Sequence, residues 1–370
     1  MKESLTDHNM NGNLYKKNKL AILALLVTIL LFLPFFAGFF GNAWIRILAF
    51  SLLYVMLALG LNIVVGYAGL LDLGYVAFYA VGAYFYALVT SPHLHEQFVF
   101  INQLFTVGFG LNSLSIIFMA AVLAAFFGIL LGFPILKLRG DYLAIVTLGF
   151  GEIIRIFLNN LNSPINLTNG PQGIGSIDPI SMFGVNFSSS LEIGSLTIPS
   201  VQLHYYIFLL FSIIIVVCSF RLENSRIGRA WLAVREDEIA AKSMGINTRN
   251  MKLLAFSLGA SFGGISGAMF AAFQGFVSPE SFVLMESIII VAMVVLGGLG
   301  NVYGVILGAI VLYAIPEVLR LTARPIQDAI FGFEVIAPEA LRMLIFGVSM
   351  VLIMLYRPNG IFPRVARGNG

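Results

Sequence analysis

Long apolar segments recur along this chain of 370 residues, and the polar residues are gathered between them. A transmembrane helix needs about 20 mostly apolar residues. Ten segments approach this requirement: 20–40, 44–65, 73–90, 114–136, 142–160, 203–220, 253–275, 286–300, 302–318 and 340–356. The pattern predicts an all-α, polytopic helical membrane protein, with one transmembrane domain over 20–360 and polar tails at 1–19 and 361–370.

The number of spans depends on the apolar run 286–318, which is either one long tilted helix or two short helices broken near Gly297, Gly298 and Gly300. Lys and Arg concentrate in 221–252. Because cytoplasmic loops are enriched in these residues, we predict that 221–252 and both termini are cytoplasmic. Two ends on one side favour splitting the run, which gives about ten spans, with eight or nine as alternatives. Arg320 and Arg324 would then face outward, against the rule.

Composition narrows the class of protein. Apolar residues make up 59% of the chain and charged residues 11%, whereas soluble domains contain about 25% charged residues. Lipid is therefore the expected surrounding of most of the chain, and the net charge of +3 predicts no nucleic-acid partner. The single Cys218 and four scattered histidines form no metal motif, so no metal site is expected. We also find no catalytic constellation, which predicts that the chain is not an enzyme.

The segment 221–252, hereafter the charged loop, contains seven Lys or Arg residues. Its apolar residues have the spacing of a short amphipathic helix or pair of helices: Trp231, Val234, Ile239, Ala240 and Met244. Acidic Glu236, Asp237 and Glu238 favour a helix N-terminus, and Gly245 stands where a glycine would end a helix. Such a helix either binds a groove in a cytosolic partner or lies on the membrane surface.

A family resemblance enters at this loop. The stretch "REDEIAAKSMGINTRNMKLLAF" resembles the coupling loop of ABC importer permeases, with Glu238, Ala240, Ala241 and Gly245 at the matching positions. Ile239 is inserted before the alanine pair, and no Leu-Pro follows the glycine, as is typical of permeases for branched-chain amino acids. Further stretches, among them "GLNIVVGYAGLLDLGYVAFYAVGAY" and "GGLGNVYGVILGA", resemble the same family in order, over roughly 45–360. We identify the chain as similar to its M-type subunit.

The resemblance implies a bacterial inner-membrane subunit that works with a second homologous permease, two ABC ATPases and a soluble substrate-binding protein. The coupling contact with the ATPases would comprise Arg235, Glu236, Asp237, Glu238, Ala240, Ala241 and Gly245. The sequence contains no phosphate-binding G-x-x-x-x-G-K-[ST] motif. We therefore expect no cofactor in this chain, with ATP bound by the partner subunits.

Polar residues inside or beside the spans are candidates for the translocation path, because ionisable groups within a membrane are costly and broken helices expose backbone groups. The candidates are Asn62, Asp72, Thr147, Glu152, Arg155 and Asn301. Glu152 and Arg155, three residues apart on one helix face, are either a structural ion pair or part of the path. Asp72 is either a loop or capping residue or a path residue.

Two glycine ladders favour close helix packing: Gly259, Gly263 and Gly267, and Gly300, Gly304 and Gly308. They pack either within this chain or against the second permease. The segment 162–202, hereafter the polar segment, is rich in Ser, Asn, Gly and Pro and has no basic residue. It is either a solvated connector or a docking surface for an external partner. The expected substrates are Leu, Ile and Val; the rivals are a urea or short-amide permease, a secondary transporter or channel, and a membrane scaffold.

Overall fold

A computed structural model describes residues 27–98, 100, 111–135, 138, 140–182, 185–187, 189–193, 196–331 and separate pieces of 337–362. Its helices in chain order are α1 Val27–Gly38, α2 Asn42–Leu61, α3 Val76–Thr90, α4 His93–Gln97, α5 Ser113–Ile135, α6 Asp141–Asn160, α7 Ser200–Glu223, α8 Arg226–Glu236, α9 Glu238–Ser243, α10 Thr248–Gln274, α11 Leu284–Gly297 and α12 Val302–Phe331. A π-helical turn, Asn62–Tyr67, continues α2. The predicted tail 1–19 lies outside the described residues, as does 363–370.

The all-α membrane fold predicted from the sequence is confirmed. Six of the described helical spans are long and apolar enough to cross a membrane, and two shorter helices, α1 and α3, are also apolar. Nine of the ten predicted spans have a helix at their position. In the tenth, 340–356, the described residues are helical.

The apolar run 286–318 forms two helices, which is one of the two alternatives predicted from the sequence. Helix α11 ends at Gly297, and α12 begins at Val302 after a turn in which Gly298 and Gly300 have positive φ angles of 110° and 82°. Only glycine adopts such angles without strain, which explains the break. Helix α12 continues to Phe331, well past the predicted end at residue 318. With 14 residues, α11 is about 21 Å long, shorter than the roughly 30 Å hydrocarbon core.

The core of the bundle is built where α10 meets α2, α3 and α5. Small residues let these backbones approach closely: a Cβ on Gly267 would collide with the backbone of Tyr79 and Ala83, and one on Gly82 with the backbone of Gly264. Because apolar side chains gain little by leaving lipid for a protein interior, close van der Waals packing is what stabilises helix pairs in membranes. This seam therefore fixes α10 against α3.

The polar segment is more ordered than a connector. It contains two short antiparallel hairpins, β1 Ser181–Met182 with β2 Val185–Asn186 and β3 Leu191–Ile193 with β4 Leu196–Ile198. Ile174, Ile177 and Ile180 are buried, and Ile174 forms a β-bridge with Val277. The strands are the exception to the all-α prediction, and the bridge from Ile174 to Val277 anchors the polar segment on the residues that precede α11.

Candidate coupling and translocation site

The charged loop folds as two helices, α8 and α9, separated by a single residue. Asp237 is that residue, and its carboxylate Oδ1 accepts hydrogen bonds from Ile239 N at 2.8 Å and Ala240 N at 3.0 Å. A side chain that caps these otherwise unpaired amides starts a new helix. Glu236 ends α8 and Glu238 begins α9, so the acidic run marks a helix N-terminus as predicted.

Gly245 ends α9, as the sequence predicted. Its φ angle is +83°, its N–H donates to the Lys242 carbonyl at 3.1 Å, and Ile246 N donates to the Ala241 carbonyl at 3.1 Å. This pair of bonds is the Schellman arrangement that closes many helices. A Cβ added at Gly245 would meet no atom of the described residues within 4 Å, so the glycine borders open space.

The amphipathic stripe divides between two surfaces. Trp231 and Val234 are buried under α8, whereas Ile239 and Met244 on and beside α9 are 70% and 84% exposed. Ala241 is buried and Ala240 exposed. Thus α8 attaches the loop to the bundle, while α9 presents apolar side chains away from it.

Side-chain contacts tie the charged loop to α10. The Trp231 Nε1–H donates to the Met251 carbonyl at 2.7 Å, and the buried Lys252 ammonium lies 2.7 Å from the Glu238 carboxylate. Truncating a fully buried Trp costs roughly 3–5 kcal/mol, so Trp231 alone is a strong attachment. Any displacement of α9 therefore reaches α10.

A third attachment joins the loop to the first predicted break. The Arg235 guanidinium donates to the carbonyl of Gly66 in the π-turn, and its stem covers Gly69. Tyr67 stacks parallel to Trp231 at 6.4 Å between ring centroids. Non-helical residues 68–75 follow, so the break predicted at Gly66–Gly74 is present and lies directly against α8.

The two breaks meet at Asn62. Its Oδ1 accepts from Gly300 N at 2.9 Å, and its Nδ2 is buried without a hydrogen-bond partner among the described residues. Asn301 caps α12, accepting from Tyr303 N at 3.0 Å, and donates to the Phe362 carbonyl at 3.0 Å. The structure thus brings together two of the predicted path residues, Asn62 and Asn301, through Gly300.

Asp72 and Thr147 lie together at the far end of the first break. The Thr147 hydroxyl accepts from Leu73 N at 3.0 Å and donates to the Ala144 carbonyl at 3.1 Å. Asp72 is buried, its Oδ1 accepts from Gly74 N at 2.9 Å, and its Oδ2 has no hydrogen-bond partner among the described residues. The capping geometry fits the interpretation of Asp72 as a loop or capping residue. The buried oxygen without a hydrogen-bond partner fits the interpretation of Asp72 as a residue of the translocation path.

Glu152 and Arg155 form an ion pair apart from these groups. Their Oε2 and Nε atoms are 2.9 Å apart, and a second carboxylate, Glu280, lies 3.9 Å from the same guanidinium. Both side chains of the pair are more than a quarter exposed. This geometry fits the interpretation of Glu152 and Arg155 as a structural ion pair, in which Arg155 connects α6 to the segment before α11.

Most of the ladder glycines pack within this chain. Gly259 faces Gly60 and Val64, while Gly304 and Gly308 face the backbone of α11. Gly263 and Gly267 likewise face α3. For Gly300 the prediction of helix packing is wrong. This residue lies in the turn before α12, where the backbone has a positive φ angle and its N–H donates to Asn62.

Sequence reasoning did not include Glu286 among the candidate path residues. Glu286 is in the first turn of α11, and its Oε2 accepts from the Tyr54 hydroxyl at 2.7 Å. The predicted span 286–300 placed Glu286 at a membrane edge, whereas Tyr54 is at the midpoint of the span Asn42–Tyr67. An acid inside a long apolar run was the available signal. Within the described part of the chain, no group of His, Cys, Asp or Glu is arranged to hold a metal.

An apolar bundle with two interrupted spans and a charged two-helix loop is the architecture of a multi-pass membrane permease. The chain matches the family model for the branched-chain amino acid transport system permease component over residues 43–354, and it belongs to that family.

Several relatives agree with this membership. The chain is 42% identical over 359 residues to the high-affinity branched-chain amino acid transport system permease protein LivM of Escherichia coli (strain K12), covering 94% of this chain and 75% of the relative. It is 27% identical over 332 residues to a probable LivM of Methanocaldococcus jannaschii, covering 84% and 90%. Identity to LivH of Salmonella typhimurium is 24% over 314 residues, covering 84% and 91%. No solved structure matches the chain.

Proposed function

We propose that this chain is a permease subunit of an ATP-driven importer and that, with a second homologous permease, it forms the path for Leu, Ile and Val. One observation carries the proposal: α9 presents Ile239 and Met244 to the surroundings while being firmly attached to the membrane helices. A helix lying loosely on the membrane would not need the buried Lys252–Glu238 contact. A helix that receives force from a partner needs such a contact to pass the movement on to the membrane helices.

Energy reaches the transporter through two ATPase subunits. The absence of a phosphate-binding motif from the sequence supports this division, because the chain then has no evident way to use ATP itself. The exposed apolar residues of α9 suit a groove in such a subunit. Gly245 at the end of α9 leaves room for the close approach of that groove.

Movement of α9 is passed to both breaks. Arg235 holds the π-turn through Gly66, Asn62 in that turn holds Gly300, and Gly300 precedes α12. Trp231 and Lys252 transmit the same movement to α10. A short π-helical turn and a glycine turn are places where a helix rearranges at low cost, so these links convert a push on α9 into opening or closing of the path.

The proposed orientation rests on the distribution of charge along the chain. The proposed substrate rests on family membership. The Lys- and Arg-rich charged loop lies in the cytoplasm with both termini, and the polar segment faces outward, where a soluble binding protein delivers the amino acid. Helix α7 is about 36 Å long between these two regions, enough to separate them by a membrane. Asn62, Asp72, Thr147 and Asn301 lie along the inferred path; for Glu152 and Arg155 the structural role is the better supported.

Uptake of labelled leucine by cells with and without the gene tests the proposal. We expect deletion to abolish an uptake that requires ATP and resists excess urea. Deletion that lowers urea uptake instead would leave the architecture and replace the substrate. A flux that depends on the gene but survives ATP depletion would overturn the importer mechanism in favour of a secondary transporter or channel.

A further inference from the structure

Glu286 lies level with the middle of the apolar span Asn42–Tyr67. Its carboxylate is bonded to the hydroxyl of Tyr54, which has about 18 Å of helix on either side within the span Asn42–Tyr67. The neighbouring Ser287 accepts a hydrogen bond from Val76 N, the first residue of α3, at 3.1 Å. Two short helices, α3 and α11, therefore begin side by side at this depth. In transporters, such half-helix starts are where substrates are held.

Among the described residues, no Lys, Arg or His side chain lies within the 4.0 Å ion-pair limit of the Glu286 carboxylate. An acid at mid-membrane costs about 2.5–3.5 kcal/mol on insertion scales unless it is compensated. Other acids on or beside the spans do have cationic neighbours: Glu152 and Glu317 each lie 2.9 Å from an arginine, and Glu280 lies 3.9 Å from Arg155. Glu286 is thus a carboxyl group within an apolar span that has no cationic partner among the described residues.

The tyrosine bonded to this carboxylate belongs to a cluster of aromatic rings. Tyr54 stacks on Tyr313 with ring centroids 4.8 Å apart, and Phe50 stacks on the same Tyr313 at 6.0 Å. Phe50, Tyr54, Tyr313 and Glu286 are all partly exposed. A carboxylate beside ring faces recognises an ammonium group, through an ion pair and cation–π attraction.

We propose that Glu286, positioned by Tyr54 beside the Tyr54–Tyr313 ring stack, binds the α-ammonium group of the amino acid as it crosses the membrane. The site opens on the face of α2, α11 and α12, where a second permease would complete the path. Neighbouring Met285 and Ile289 offer the apolar surface that a branched side chain requires. This inference rests on the proposed function, because only an amino-acid substrate supplies the ammonium.

The first test replaces the charge while keeping the shape. Glu286→Gln retains an acceptor for the Tyr54 hydroxyl, so the helices should assemble with their partners as in the wild type. We expect leucine uptake by the reconstituted transporter to fall at least about tenfold, the loss expected for one charge-assisted contact. Glu286→Asp should recover part of the rate. Glu317→Gln, an acid on α12 already paired with Arg320, is the matched control and should stay within about twofold.

A second measurement reads binding directly. Dicyclohexylcarbodiimide, an apolar reagent for carboxyl groups, should modify Glu286 in the assembled transporter, as detected by peptide mass spectrometry. Leucinamide, which has the ammonium but no carboxylate, should protect Glu286. Isocaproate, which has the carboxylate but no ammonium, should not.

The outcomes separate the two levels of inference. A wild-type transporter that fails to import leucine refutes the proposed function. If the wild type imports leucine but Glu286→Gln matches it, only the ammonium site is refuted. Absence of labelling, or protection by both compounds or by neither, also refutes the site. Loss of the second permease on purification of Glu286→Gln would mean instead that a cation of that subunit pairs with the carboxylate, and would overturn the proposal.

Discussion

The charged loop and the polar segment lie at opposite ends of α7 and are held to the bundle in different ways. The charged loop is helical and attached through side chains: Trp231, Arg235 and Lys252 each contact a different point of the membrane helices or of α9. The polar segment consists of turns and hairpins and is attached largely through its backbone, as in the bridge between Ile174 and Val277 and the bond from the Tyr86 hydroxyl to the Asp178 carbonyl.

This difference in attachment indicates that the charged loop and the polar segment have different functions. Side-chain attachments at several points transmit force in a defined direction, because each contact fixes the orientation of a helix. Backbone attachments of a turn-rich segment hold a surface in place and leave its side chains free for recognition. We therefore expect changes in the charged loop to lower the maximal rate of uptake, and changes in the polar segment to alter the apparent affinity for the delivered substrate.

The largest effect is expected from Gly245→Arg. The side chain would extend into the open space beside α9 and block the approach of an ATPase groove, so leucine uptake should fall more than about tenfold. Membrane insertion should be unchanged, because Gly245 lies outside the apolar spans and a Cβ there meets no described atom within 4 Å. Gly245→Ala has the same backbone strain at φ +83° without the bulk, and it should keep most of the rate. Normal uptake by the arginine variant would refute α9 as the coupling contact.

An intermediate effect is expected from Lys252→Met. The buried ammonium is removed together with its ion pair to Glu238, which loosens α9 from α10 at a cost of roughly 1–3 kcal/mol. Maximal uptake should fall about threefold to tenfold while ATP hydrolysis by the assembled transporter persists, since the ATPases themselves are untouched. Lys242→Met removes an exposed lysine of α9 and is the control. Parallel loss of uptake and hydrolysis would point to misassembly rather than uncoupling.

The smallest effect is expected from a change in the polar segment. Asp178 is exposed in the polar segment, which has no basic residue, so Asp178→Lys introduces a repulsive charge wherever a partner supplies its own cations. The concentration of binding protein giving half-maximal uptake should rise about threefold at low salt, with little change in maximal rate. Asp178→Asn should shift it less. A fall in maximal rate without a change in half-saturation would erase the distinction between the two regions.

Local rules predicted the parts of the fold that local chemistry decides. The end of α9 at Gly245 and the break at Gly297–Gly300 follow from the conformational freedom of glycine, and the spans follow from hydropathy. Three features depended on which surfaces meet: the burial of Trp231 with exposure of Ile239, the contact of Gly300 with Asn62, and the depth of Glu286. Each is a contact between residues distant in sequence or an orientation set by packing, which helical spacing alone does not determine.

The seam between α10 and α3 has a consequence for movement. Gly264 and Gly267 fit against Gly82, Tyr79 and Ala83 with no space for a methyl group. The two backbones are in direct contact along this seam, so neither helix can shift towards the other, and separating them would give up the close packing that holds them together. These two helices must therefore travel as a single rigid body, and the change between inward-facing and outward-facing states has to occur around them, at the π-turn after α2 and at the glycine turn before α12.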